Sequence, residues 1–103
     1  MEEINNLLNK YNEEINKRFT LTNSLYLAKT MEELGEVADV VMRLENINRA
    51  SKTNSNNDLK TKLSEELCDV FLALALFAKA NNIDLLEKSK KVIKHNLERW
   101  KSE

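Results

Sequence analysis

Two acidic clusters hold the residues best suited to chemistry. Residues 32–39 read Glu-Glu-Leu-Gly-Glu-Val-Ala-Asp, and residues 65–69 read Glu-Glu-Leu-Cys-Asp. Within them, Glu33 and Glu36 stand three apart, as do Glu66 and Asp69. On a helix that spacing puts two carboxylates on one face, a turn apart. Each cluster runs directly into apolar sequence: Val40-Val41-Met42 after the first, Val70 to Ala78 after the second. A carboxylate on a helix that is apolar nearly all round must be paired, protonated or bound to a cation, because an isolated buried charge is strongly unfavourable. If the two helices pack antiparallel with these turns facing, Glu33, Glu36, Glu66 and Asp69 surround one small volume. Oxygen donors alone favour Mg²⁺, with Mn²⁺ as a substitute, over zinc or copper. Carboxylate-bound Mg²⁺ usually keeps positions open for water and substrate phosphates. Gly35, the only glycine, lies between two of the acids. Glycine costs roughly 1 kcal/mol inside a helix, so its presence suggests that something approaches closely there.

The plainer alternative is that these acids are surface groups paired with Lys29 and Lys62, each four residues before a motif glutamate. One Glu-x-x-Glu would be read that way. Two such motifs, each entering an apolar segment, favour the ion site. Other metal chemistry is excluded. Cys68 is the only cysteine, so neither an intrachain disulfide nor a cysteine-based zinc site can form. His95, the only histidine, follows Val92 and Ile93 and lacks the glutamate a Glu-x-x-His di-iron motif requires. His95, Asp39 and Cys68 read as an ordinary polar face, a helix charge and a packing residue. Tyr11, Phe19, Tyr26 and Trp100 are more often core at this spacing, although each has a face that would stack on a base.

The elements that must position these residues are helices. The chain has 103 residues, no proline and a single glycine, a composition that disfavours turn-rich β structure. Ile4, Leu7, Leu8, Tyr11, Ile15 and Phe19 recur at three- and four-residue spacing and predict a first helix over about 2–18. A second is expected over 24–48, capped by Thr22, Asn23 or Ser24. Its apolar residues form two rows (Leu25, Ala28, Met31, Ala38 and Met42; Leu27, Leu34, Val37 and Val41), which implies burial on more than one side. Residues 50–57 are polar and of low complexity and read as a flexible loop. A third helix is expected from Asp58 to about Ala80, central because its later part is apolar on every face. Asp84 and Glu87 resemble a capping box that starts a fourth, with Leu86, Ile93, Leu97 and Trp100 as its stripe. The prediction is one all-α domain, 1–103, of four-helix bundle type. So much apolar surface on so short a chain suggests completion by homo-oligomerisation, as a homodimer or homotetramer. Net charge is −1, which argues against binding a nucleic-acid polymer. The longest apolar run is too short to span a membrane, the N-terminus is acidic and polar rather than signal-like, and a cytoplasmic location is expected.

Glu33-Leu-Gly-Glu36, a spacer, and then Glu65-Glu66-Leu-Cys-Asp69-Val70 resemble the signature of the all-α nucleoside triphosphate pyrophosphatases, the MazG-like superfamily. Asn82-Ile83-Asp84-Leu85 is similar to the family's turn into its last helix. Lys94-His95-Asn96-Leu97-Glu98-Arg99-Trp100 is similar to its basic C-terminal motif, with a different lysine spacing. The resemblance covers about residues 24–100. It implies Mg²⁺ held by Glu33, Glu36, Glu66 and Asp69, and hydrolysis of a (deoxy)nucleoside triphosphate between its α and β phosphates to give monophosphate and pyrophosphate. Glu32 or Glu65 would orient or deprotonate the attacking water. Lys29, Lys62, Lys94 and Arg99 are candidates to hold phosphate oxygens, and Asn96 to contact sugar or phosphate. Two other readings remain: a non-catalytic helical regulatory or interaction module, and a phosphoribosyl-ATP pyrophosphohydrolase within the same superfamily.

Overall fold

The computed structural model describes residues 2–46 and 56–102. They form four helices: α1 (Glu2–Arg18), α2 (Asn23–Glu45), α3 (Asn56–Ala80) and α4 (Leu85–Lys101). No strand occurs among the described residues. Of the expected polar loop at 50–57, residues 50–55 lie outside the described residues, whereas Asn56 and Asn57 already belong to α3. Asp58, the expected start of the helix, therefore sits within the first turn of α3.

Local chemistry sets the helix ends. Thr22 caps α2, its side chain accepting from the Leu25 N–H at 3.3 Å. Asp84 caps α4 in the same way, accepting from the Glu87 N–H at 3.1 Å. The second helix is described to Glu45, with Asn46 as its C-cap; residues 47 and 48 of the expected span lie outside the described residues. The Asn46 backbone N–H closes the last helical bond to the Met42 carbonyl at 3.1 Å, and its side-chain amide donates to the same carbonyl at 2.8 Å. Between α3 and α4, Asn82 takes a φ of +58°, a left-handed conformation that asparagine tolerates better than most residues.

The core is a seam between α2 and α3. From α2 it takes Tyr26, Thr30, Glu33, Val37, Val40 and Leu44, all buried or half-buried. From α3 it takes Leu59, Leu63, Glu66, Val70, Ala73 and Phe77, again buried or half-buried. Both stripes step by four and three residues in alternation, the spacing that keeps a row on one side of a helix. The helices run antiparallel: Tyr26 near the start of α2 stacks on Phe77 near the end of α3, ring centroids 5.8 Å apart and planes 4° from parallel. Val40, at 1% exposure, is the most deeply buried side chain of the seam.

This seam corrects the expected burial of α2. Leu25, Met31, Met42, Leu27, Leu34 and Val41, drawn from both apolar rows, are exposed. The buried row runs instead through Thr30 and Glu33, whose polarity hides it from a hydrophobicity count. α3 is the central helix, since α1, α2 and α4 all pack on it and on no other helix. The expected stripe of α4 also stays largely open, with Ile93, Leu97 and Trp100 exposed. The radius of gyration is 17.3 Å, against about 13 Å for a compact domain of this length. Among the described residues, α2 and α4 each leave an apolar face exposed.

Candidate metal centre

Glu33 and Glu66 lie at neighbouring levels near the middle of the antiparallel stripes, so the packing that closes the seam also brings these carboxylates close. Asp69, one turn beyond Glu66 on α3, joins them. Carboxylate oxygens of Glu33, Glu66 and Asp69 lie within 4.8 Å of one another. Burial is graded across the group: Glu66 is 8% exposed, Glu33 is half-buried and Asp69 is exposed. The cluster therefore reaches from the interior to solvent on the Asp69 side.

Two lysines counter this charge. The Lys29 ammonium lies 3.0 Å from Glu33 and 3.1 Å from Glu32. The Lys62 ammonium lies 3.6 Å from Glu66. Both pairs of the plainer alternative therefore exist, yet the acids also converge across two helices, which surface pairing alone does not require. The hydrogen bond to Glu33, then that to Glu32, raises the Lys29 pKa above its ordinary value, so this ammonium stays charged across the neutral range.

The donor set fits a hard divalent cation. It is all carboxylate oxygen, drawn from two helices, and its most buried member, Glu66, has only the exposed Lys62 ammonium, 3.6 Å away, as an ion-pair partner among the described residues.

Glu36 stands apart from the three. It is exposed one turn further along α2, and a fourth like charge is repelled by those already gathered. Both Glu32 and Glu65 are exposed, and of the two only Glu32 lines a cleft beside Glu33. Lys94, Asn96 and Arg99 stand on α4, which packs on α3 alone, and none of them lines that cleft. Gly35 does not show the expected close approach. A Cβ built there meets no atom within 4 Å among the described residues. In an isolated chain, Gly35→Ala is expected to stabilise by about 1 kcal/mol, raising the melting temperature by roughly 4–8 °C. A melting temperature that falls in thermal denaturation would show that ligand or a second copy occupies that space.

The MazG nucleotide pyrophosphohydrolase domain matches residues 21–102. The chain belongs to the MazG family. Nothing matches among curated proteins or among solved structures. MazG domains are nucleotide pyrophosphohydrolases and generally depend on a divalent metal, which agrees with an oxygen-only cluster on two antiparallel helices. The MazG match spans α2, α3 and α4 and leaves α1 outside. The cleft beside the MazG motifs is the feature that sequence reasoning missed. Its walls include Ile15, Leu72 and Leu76, which read as ordinary core. No helix among the described residues is long and apolar enough to cross a membrane.

Proposed function

We propose that this chain is a Mg²⁺-dependent pyrophosphohydrolase that splits a (deoxy)nucleoside triphosphate between its α and β phosphates. The observation that carries this reading is the convergence of Glu33, Glu66 and Asp69, with Glu66 buried in the seam. These three, with Glu36 swinging in from the rim, would hold the divalent ion. Such an ion neutralises triphosphate charge and acidifies water. Glu32 takes the role of general base in preference to Glu65, because it lines the cleft beside the cluster. It orients the attacking water and accepts its proton as the water oxygen bonds to phosphorus and pyrophosphate departs. Lys29 and Lys62 already face the carboxylates, and they hold phosphate oxygens when substrate arrives.

Lys94, Asn96 and Arg99 reach substrate only if a second copy lays its α4 beside the cleft. The reading therefore includes a homodimer or homotetramer in which subunits cover each other's open apolar faces and complete each other's sites.

The test is a panel of ribo- and deoxyribonucleoside triphosphates assayed for pyrophosphate with Mg²⁺, with Mn²⁺ and with chelator. Metal-dependent release from at least one of them is expected. No release from any, with either metal, would overturn the assignment and leave the helical interaction module as the better account.

A further inference from the structure

A cleft of about 630 Å³ opens beside the carboxylates, within the roughly 300–1,000 Å³ typical of small-molecule sites. It exists because α1 packs on α3 and stands off α2. Lys29, Glu33 and Asp69, from α2 and α3, line it, and so do Tyr11 and Phe19 from the α1 side. Both rings are accessible, Tyr11 at 46% and Phe19 at 56% exposure. Phe19 is held in place, since its backbone N–H donates to the Ile15 carbonyl at 2.9 Å and extends the last turn of α1. Phe71, Phe77 and Trp100 do not line this cleft, and Tyr26, which does, is not free to stack on a base. Tyr26 is buried and stacked on Phe77, and Trp100 lies on α4 beside Lys94 and Leu97.

We infer that Tyr11 and Phe19 form the base-recognition wall, so that discrimination among nucleotides resides in the segment before residue 21, outside the family match. The inference rests on the pyrophosphohydrolase reading for the placement of the triphosphate. With the phosphate chain held by Lys29, a planar base in the same cleft meets largely apolar walls, where aromatic rings stack on its face. The preferred substrate is then a phosphoanhydride bearing an aromatic base, and a bare polyphosphate is a poor one.

The experiment is titration calorimetry with α,β-methylene nucleoside triphosphates, which cannot be split at that bond, and with inorganic tripolyphosphate. Tyr11→Leu and Phe19→Leu keep apolar bulk and remove the ring. Each is expected to weaken binding of the preferred nucleotide analogue by about ten-fold while changing tripolyphosphate affinity by less than about two-fold. Tyr11→Phe and Phe19→Trp keep a ring and should hold the nucleotide affinity within about two-fold of wild type. Both positions are half-exposed, so circular dichroism should show all variants folded. Equal nucleotide affinity in the Leu variants and wild type overturns the inference, as does a parallel loss for tripolyphosphate. Pyrophosphate release by wild type is scored separately. Ring-dependent binding without release sinks only the proposed reaction, and release with ring-independent binding sinks only the base wall.

Discussion

Glu66→Gln is expected to abolish divalent-ion stabilisation and to cut pyrophosphate release by on the order of 100-fold or more, because the charge stabilisation a bound ion supplies is several kcal/mol. Glutamine keeps the size of the side chain and removes its charge, so the seam between α2 and α3 should close as before. In the ion-free protein the change also relieves repulsion among oxygens that lie within 4.8 Å of one another. The metal-free variant should therefore melt no lower than wild type. Wild type, by contrast, gains about 2.7 kcal/mol when the ion is present at a hundred times its dissociation constant. For a chain of this length that corresponds to a rise of roughly 10–20 °C. Scanning calorimetry with and without Mg²⁺ separates the two signs. A Glu66→Gln protein that still gains the full rise would remove the buried carboxylate from the site.

Leu34→Glu should break the proposed self-association. Leu27, Met31, Leu34, Val41 and Met42 lie exposed along one flank of α2, and α4 leaves Ile93, Leu97 and Trp100 open. Burying each such side chain contributes about 1.5–3 kcal/mol. That is enough for a stable self-contact once a handful are covered, and enough to complete a chain whose radius of gyration, 17.3 Å, is too large for a closed bundle. A carboxylate placed at Leu34 would be desolvated at the centre of that patch without a partner. Its dissociation constant is expected to rise at least about 100-fold, equivalent to roughly 2.8 kcal/mol. Sedimentation velocity over a concentration series reads this directly. A wild-type protein that stays monomeric at tens of micromolar would remove the self-contact and, with it, any contribution of Lys94, Asn96 or Arg99 from a second copy.

Helix order was legible because nothing in the chain interrupts it: there is no proline, and the lone glycine sits mid-helix. Thr22 and Asp84 could be read as caps because a side-chain oxygen three residues before an N–H is a purely local signal. The buried face of α2 was not legible. Apolar residues occupy most of its circumference, so periodicity alone does not say which row meets α3, and the true row includes Thr30 and Glu33. Convergence of the acids could be anticipated from two motifs of like spacing. Their ranking could not, since Glu33 and Glu66 are set inside the seam and Glu36 on its rim by the docking of two helices. The cleft walled by Tyr11 and Phe19 is a product of how α1 leans on α3. No neighbour in sequence encodes that lean, so the same rings read equally well as core.

The two glutamates in the seam set a limit on how rigid this molecule can become. Apolar residues in those two slots would give the helix pair a dry, unbroken zipper, and such swaps for buried charge are commonly neutral or stabilising. The chain forgoes that sturdiness at the one level of the bundle where its ion would dock. Its tightest fold and its proposed working fold are therefore different sequences, and selection for heat tolerance alone would erode the pair of side chains on which the proposed catalysis depends.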